Sequence, residues 1–368
     1  MSLIILCLAC SCSQTNNTLS KTPIDKEATS NIAELYNRLF LLSETGILLG
    51  HQDDPAYGHG WFGIDGKSDV KDMTGDYPAV TGLELGHIEL GATHNLDSVN
   101  FNNMKEYVRE ASARGGIVTF SWHGDNPATG GSSWDCAQDT VVRSILVGGS
   151  NHAHYLLWLD RLADFFLCLK DDCGMPIPVI FRMYHEHTGD WFWWGSAQCT
   201  PDEYKQLWIM TQTYLRTAKN VHNLLYAYSS SNAQSEEHYL ERYPGDEYVD
   251  VLGFDHYLKG QTPEDVAQYK TDFERNLRIV TAYAEKSGKL PIVGETGEES
   301  VWDATYFTGI LYPILQQYRP AWVLFWRNAW EPDKPNHYYL PYPGHPAEAD
   351  FKAFVETPLI LMNQDVKL

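Results

Sequence analysis

Short apolar runs alternate with longer amphipathic segments along most of the chain. Eight runs rich in β-branched and aromatic residues predict strands at 47–52, 79–85, 116–123, 178–186, 224–231, 249–257, 291–295 and 321–327. Helix-length segments predict helices at 99–114, 152–170, 201–219, 263–286 and 303–317, and another at 32–42 before the first strand. Because strands alternate with helices, the pattern predicts an α/β fold with a parallel sheet.

The number of repeating units predicts the form of this sheet. Eight strand–helix units favour a closed (β/α)8 TIM barrel. An open doubly wound sheet is the alternative, but no glycine-rich phosphate-binding loop follows any predicted strand. The chain shows no long linker or low-complexity segment. We therefore expect residues 23–368 to form a single (β/α)8 domain.

Polar and aromatic residues follow the predicted strands at their carboxyl ends. These ends meet at one mouth in a (β/α)8 barrel, where the functional residues of such folds lie. The residues concerned are His51, Asp53, Glu84, His87, His123, His185, Glu186, Asp255, Tyr257, Glu295, Trp326 and Arg327. The sequence thus predicts a ring of polar and aromatic side chains around the carboxyl end of the barrel.

Charge and aromatic content narrow the class of ligand. The formal net charge of −21 argues against nucleic acid and against an anionic membrane surface as partners. Aromatic residues make up 13% of the chain, including 12 Trp and 22 Tyr. Flat apolar rings with polar edges suit sugar rings, which present C–H groups on one face and hydroxyls at the rim. We therefore expect a neutral polysaccharide or oligosaccharide as the ligand. We also expect the protein to be a monomer.

The first residues are typical of an export signal. An apolar run too short to span a bilayer is followed by small residues and cysteines, and then by a polar stretch. This order resembles a bacterial lipoprotein signal with Cys10 or Cys12 as the lipidated residue. We expect residues 1–22 to form this signal and a short tether. The protein would then be anchored by lipid in the periplasm or at the outer membrane.

Four further cysteines lie within the predicted domain. Cys136, Cys168, Cys173 and Cys199 have no Cys-x-x-Cys spacing and match no zinc motif. In an exported protein they are compatible with disulfides, for example between Cys168 and Cys173, or with free buried thiols.

Two glutamates end strongly apolar strands. Glu186 closes VIFRMYHE and Glu295 closes PIVGE, the fourth and seventh predicted strands. Two carboxyl groups that face each other across a pocket are what glycosidic cleavage requires, since one protonates the departing oxygen and the other attacks the anomeric carbon or activates water. Together with the aromatic residues nearby, this pair indicates a glycosidase.

Several motifs resemble one known family. The segments RMYHEHTGDWFWWG, IVGETG, GFDHY and LFWRNAW, with GHQ and SWH upstream, are similar to those of the β-mannanases of glycoside hydrolase family 26. The resemblance extends from about residue 32 to residue 354. It implies a (β/α)8 barrel that hydrolyses β-1,4 linkages in mannans with retention of configuration and without a cofactor. It also implies that Glu186 is the general acid/base and Glu295 the nucleophile. We expect Trp191 and the charge of Glu295 to keep Glu186 protonated near neutral pH.

The resemblance assigns supporting roles to the other residues. It implies that His185 contacts the axial hydroxyl beside the reacting carbon and that Trp191 is an aromatic platform. We expect Tyr257 to donate a hydrogen bond to Glu295, and Asp255 to orient that network. The remaining substrate contacts are expected at His123, Trp134, Trp326 and Arg327, with Glu84, His51 and Trp302 as weaker candidates.

The sequence leaves three further functions open. A metal-dependent barrel hydrolase would use the histidines at the strand ends, but the first strand lacks the usual pair of histidines one residue apart. A non-catalytic glycan-binding protein and a β-1,3/1,4-glucanase of the same fold are also compatible with the cleft that the pattern predicts. The sequence does not distinguish cleavage within the mannan chain from release of mannobiose at its end.

Overall fold

Eight parallel strands pair in sequence order, and the last strand pairs with the first. A computed structural model describes residues 21–367. The barrel strands are β1 Ile47–Gln52, β2 Val80–Glu84, β3 Ile117–Trp122, β4 Val179–Met183, β5 Leu224–Ser230, β6 Val251–Leu258, β7 Leu290–Glu298 and β8 Trp322–Phe325. Pairing of Leu48 with Trp322 and of His51 with Phe325 closes the sheet. The predicted (β/α)8 barrel is confirmed.

Helices fill most connections between the strands. The α-helices are Ser30–Thr45, Asp69–Thr74, Phe101–Ala113, Val141–Ile145, His152–Cys168, Pro201–Thr213, Glu236–Leu240, Pro263–Ser287, Tyr312–Tyr318 and Glu348–Val355. Thr200 and Thr262 begin two of them with a capping box, and a proline follows each in the first helical turn. The remaining strands are Tyr57–Gly58 and Trp61–Phe62, which form a hairpin after β1, and Ile360–Leu361, which pairs with β1.

Helix Ser30–Thr45 covers the amino-terminal end of the barrel. Its buried side chains, among them Ile32 and Leu39, form one hydrophobic cluster with interior residues near the starts of the strands, such as Leu48, Val80 and Ile180. Because this end is filled by apolar side chains, the carboxyl end is the mouth that remains available for a polar site.

Several predicted boundaries were wrong. The fourth strand ends at Met183 rather than 186, so Glu186 lies in the loop after it. The seventh continues to Glu298, so Glu295 lies inside the strand. The helices predicted at 201–219 and 303–317 each contain a π-helical segment, Tyr214–Ala218 and Tyr306–Leu311. A propensity pattern does not distinguish a widened turn from an α-helical one.

The cysteine and leader predictions have different outcomes. Cys136, Cys168, Cys173 and Cys199 are all free thiols, so the suggested bond between Cys168 and Cys173 is not formed. The predicted signal, with Cys10 and Cys12, lies outside the described residues. Within 21–367, no helix combines the length and apolar character needed to cross a bilayer.

Candidate active site

Glu186 and Glu295 line the same cleft at the carboxyl end of the barrel. This main cleft has a volume of about 930 Å³. Glu186 is placed by the loop after β4, where its backbone N–H donates to the carbonyl of Ser229 at 2.9 Å. The φ angles of Tyr184 and Glu186 are 48° and 55°. Residues other than glycine rarely adopt this left-handed backbone conformation. Such backbone strain concentrates at functional sites.

A β-bulge in β7 sets the direction of Glu295. Phe254 of β6 pairs with Val293, but the next residue, Asp255, pairs with Glu295, so Gly294 is the extra residue. A Cβ atom at Gly294 would lie 2.5 Å from a carboxylate oxygen of Asp255, so only glycine fits there. The bulge therefore presents the Glu295 side chain to the cleft.

Two donors hold the Glu295 carboxylate. The Tyr257 hydroxyl donates to Oε2 at 2.7 Å, which is the hydrogen bond that the sequence led us to expect. The Arg182 guanidinium donates to Oε1. These two hydrogen bonds fix the position of the carboxylate in the cleft.

Arg182 is a site residue that the sequence analysis did not assign. It lies in the middle of β4, and its second nitrogen donates to Asp255 at 2.8 Å. Asp255 also accepts a hydrogen bond from Ser229 at 2.9 Å. Asp255 therefore acts on the network through Arg182, which it holds against Glu295. The signal was available, because an arginine within the apolar run VIFRM requires a buried partner.

The environment of Glu186 favours a protonated carboxyl group. Burial, followed by the nearby charge of Glu295, raises the pKa of Glu186 to about 7. The indole N–H of Trp191 donates to Oε2 of Glu186 at 2.6 Å. This hydrogen bond stabilises the ionised form and lowers the pKa, and so opposes the larger effect of burial.

A chain of hydrogen bonds links His185 to Glu84 through His123. His123 Nδ1 lies 2.8 Å from Glu84 Oε2, and its Nε2 lies 3.1 Å from His185 Nε2. Burial lowers the pKa of His123, but the Glu84 carboxylate outweighs it and raises that pKa overall. Burial and the Arg182 charge lower the pKa of His185 well below its usual value. The raised pKa favours a protonated His123, which can donate to both Glu84 and His185, and the lowered pKa favours a neutral His185.

The structure places His185 behind the cleft wall rather than at its surface. Its side chain is fully buried, with Nε2 also 3.9 Å from Glu295 Oε1. His123, by contrast, lines the cleft. The direct sugar contact expected of His185 stays a prediction, whereas its position beside His123 and Glu295 is suited to orienting both.

The aromatic residues divide into cleft walls and packing beneath them. Trp134, Trp191, Phe192, Trp302 and Trp326 line the main cleft. The Trp134 ring stacks on His123, with centroids 5.3 Å apart, and remains 52% exposed.

Trp193 and Trp194 are buried beneath this surface. Their indole N–H groups donate to the carbonyls of Gly124 and His185, at 2.9 and 2.8 Å. They therefore support the loop after β4 and do not face the cleft.

A second cavity of about 550 Å³ adjoins the main cleft. This side lobe shares His123, Trp134, Glu299 and Trp326 with the main cleft, and is otherwise lined by Glu84, Leu96, Asp97, Arg327, Asp333, Lys334, Pro335, Asn336 and His337. Arg327 is paired with Asp97 at 3.3 Å and with Glu331 at 3.2 Å. It thus forms ion pairs at the rim and still borders the lobe, where the sequence led us to expect a substrate contact.

Comparison with known proteins agrees with this geometry. The sequence profile of glycosyl hydrolase family 26 matches residues 24–309. The chain belongs to this family.

Relatives of this family 26 chain include proteins named mannan endo-1,4-beta-mannosidase. One from Bifidobacterium adolescentis is 33% identical over 92% of this chain, and one from Thermothelomyces thermophilus is 27% identical over 80%. The chain spans 35% and 58% of the lengths of these two relatives. A solved structure described as a GH26 beta-mannanase from Bacteroides ovatus is 46% identical, with a TM-score of 0.88 over 92% of this chain and 98% of that one.

Two other histidines lie outside the cleft of this family 26 domain. His51 is buried, with Nδ1 2.9 Å from Asp54. His187 is buried between the rings of Tyr204 and Tyr228. Over residues 21–367, no group of three or more histidine, cysteine or acidic side chains is arranged to hold a metal ion.

Proposed function

We propose that this protein is a retaining β-1,4-mannanase that acts on mannan and mannooligosaccharides by double displacement. One observation carries the proposal: two carboxyl groups in a single aromatic cleft have different environments. Glu295 is held by Arg182 and Tyr257, while the pKa of Glu186 is raised to about 7. Two carboxyl groups with such different environments are suited to act as nucleophile and acid.

The first step forms a glycosyl–enzyme ester. A Glu295 oxygen attacks the anomeric carbon while the bond from that carbon to the glycosidic oxygen breaks. Glu186 transfers its proton to the departing oxygen, so the leaving sugar departs as a neutral alcohol. A pKa of about 7 leaves much of Glu186 protonated at neutral pH.

The second step releases the sugar. Esterification removes the charge of Glu295, which was one cause of the raised pKa of Glu186. Glu186 therefore loses its proton more readily and can act as base. It accepts a proton from water, the water oxygen attacks the anomeric carbon, and Glu295 departs as a carboxylate. Each step inverts the anomeric carbon, so the product retains its configuration.

The choice of mannan rests on the named relatives and on the cleft. The relatives from Bifidobacterium and Thermothelomyces are named as mannan-cleaving enzymes. The tryptophan rings that line the main cleft suit neutral sugars, and the net charge of −21 disfavours anionic ones. His123, Trp134, Trp191, Trp326 and Arg327 are proposed as the residues that contact the sugars.

We expect the purified chain to release reducing ends from mannan, glucomannan and galactomannan. Nuclear magnetic resonance of the first products should show the β-anomer before mutarotation. Hydrolysis of mixed-linkage β-glucan at a higher rate would instead support the glucanase, and binding without new reducing ends would support a glycan-binding protein. Activity lost after chelation would contradict a cofactor-free mechanism. The products of mannohexaose distinguish internal cleavage from release of mannobiose.

We also propose that the protein is a monomer exported to the periplasm or outer membrane and anchored by an N-terminal lipid. The support is the apolar and cysteine-containing leader. Expression of the full chain in a bacterium should give a membrane-bound protein that incorporates labelled fatty acid. Cys10→Ser and Cys12→Ser, made separately, identify the lipidated residue, because only one of them should abolish labelling. Labelling unchanged in both variants and in the double variant would contradict the anchor.

A further inference from the structure

Two aromatic rings lie together outside the cleft, on the same face of the barrel. Phe62 belongs to the hairpin after β1, and Trp330 to the loop after β8. Because both segments follow the carboxyl ends of their strands, both rings lie on the face that carries the active site. Their centroids are 4.7 Å apart, and Phe62 is nevertheless 40% exposed. Ile64, two residues after Phe62 in the chain, is 50% exposed.

This aromatic pair is continuous with the side lobe. The Trp330 indole N–H donates to the carbonyl of Asp97 at 3.3 Å, and Asp97 lines the lobe. On the other side, the Arg327 guanidinium lies 5.7 Å from the centre of the Tyr57 ring. The Tyr57 ring in turn stacks on Phe62, with centroids 6.1 Å apart. The Phe62–Trp330 pair therefore borders the side lobe, and Phe62 is its exposed member.

The side lobe lies on the non-reducing side of the reacting sugar. Glu186 and Trp191 line the main cleft and do not line the lobe. In the proposed mechanism the leaving sugar, which is on the reducing-end side, departs next to Glu186. Because Glu186 does not line the lobe, the lobe is assigned to the sugars that precede the reacting one in the chain.

Hydrogen bonds to the buried Asp69 carboxylate hold the hairpin in place. The Asp69 carboxylate accepts hydrogen bonds from the His59 backbone N–H at 2.8 Å and from the Trp61 indole at 2.7 Å. It also accepts from Asn328 at 2.8 Å, which ties the hairpin to the loop after β8. Phe62 thus leaves part of its aromatic ring in water, and that surface is available to a ligand.

We propose that Phe62 and Trp330 form a distal sugar-binding site for the non-reducing side of the mannan chain, beyond the side lobe. The proposal rests on the proposed mannanase function. The ring faces can pack against sugar C–H groups, while Lys334 of the side lobe and Glu331, which follows Trp330 in the chain, can bind hydroxyl groups. Long substrates engage this site, and short ones do not span the distance to it.

The test compares substrates of different length. The ratio of kcat/KM on mannohexaose to that on mannotriose is measured for the unaltered chain, for Phe62→Ala and for Leu157→Ala. Leu157 is the control, since it is 54% exposed on helix His152–Cys168, away from the strand ends. We expect Phe62→Ala to lower the ratio about five- to ten-fold, which is typical for loss of one aromatic contact, and Leu157→Ala to preserve it.

A binding measurement separates this site from the chemistry. In the Glu186→Gln background, calorimetry should show weaker binding of mannohexaose when Phe62→Ala is added, with the melting temperature unchanged. An equal loss on both substrates, or an unchanged ratio, would overturn the distal site while leaving the mannanase function intact. A dimer in size-exclusion chromatography that Phe62→Ala dissociates would also overturn it, because the rings would then bind a second copy. An unaltered chain inactive on mannan would refute the proposed function itself.

Discussion

Glu295→Ala will lower turnover of mannan by roughly 10⁴- to 10⁶-fold, the range found when a nucleophile is removed. The substitution removes the attacking oxygen and leaves a space between Arg182 and Tyr257. Azide is small enough to occupy that space. With an aryl β-mannobioside, azide should restore turnover and give the glycosyl azide of inverted configuration, since attack occurs once from the face opposite the leaving group.

The control for this experiment is Glu110→Ala. Glu110 lies on helix Phe101–Ala113, and its side chain is 58% exposed. This variant should keep full activity and show no response to azide. Failure of azide to restore Glu295→Ala, in a protein that melts at the temperature of the unaltered chain, would contradict Glu295 as nucleophile. An azide product of retained configuration would point to loss of the acid/base instead.

Glu186→Gln will lower turnover of mannan by about 10²- to 10⁴-fold, the typical contribution of a general acid. Hydrolysis of an aryl mannobioside with a good leaving group should fall less, because that leaving group needs little protonation. With the unaltered chain, kcat/KM on mannan should fall as the pH rises through about 7, where Glu186 loses its proton. This alkaline limb should be absent from the residual activity of Glu186→Gln.

The same carboxyl group makes stability depend on pH. Its pKa is raised from 4.5 to about 7 on folding, so the folded state retains a proton that the unfolded state loses. The contribution of Glu186 to stability is therefore complete below about pH 4.5 and declines as the pH rises to about 7. Glu186→Gln should remove this decline and raise the free energy of unfolding at pH 8 by on the order of 2 kcal/mol, measured with urea.

Asp190→Asn is the matched control, because Asp190 is an exposed carboxylate in the same loop. It should change neither the pH profile nor the stability at pH 8. Equal loss of Glu186→Gln activity on mannan and on the aryl substrate would contradict the role of Glu186 as acid.

The sequence was sufficient to predict the barrel and to place two carboxyl groups in one cleft. Alternation of apolar runs with amphipathic segments reports local burial, which each segment carries in its own residues. Eight such units leave few arrangements other than a closed barrel, and closure brings all the carboxyl ends to one mouth. Glu186 and Glu295 could therefore be placed in one cleft although 109 residues separate them in the chain.

Strand pairing decided how Glu295 is directed. The bulge at Gly294 depends on the register between β6 and β7, which no single segment specifies. The pairing of Arg182 with both Asp255 and Glu295 depends on three different strands. In the sequence, Arg182 was only a charge within an apolar run.

The sequence by itself determined the fold, the family and the presence of two carboxyl groups at the mouth of the barrel, because these follow from local patterns and motifs. Only the tertiary structure decided that His185 lies behind the cleft, that Trp193 and Trp194 are buried supports, and that Arg182 holds Glu295. It also decided the raised pKa of Glu186. The physical reason is that burial, hydrogen bonding and charge interactions depend on distances between residues from different strands, and those distances exist only once the barrel has closed.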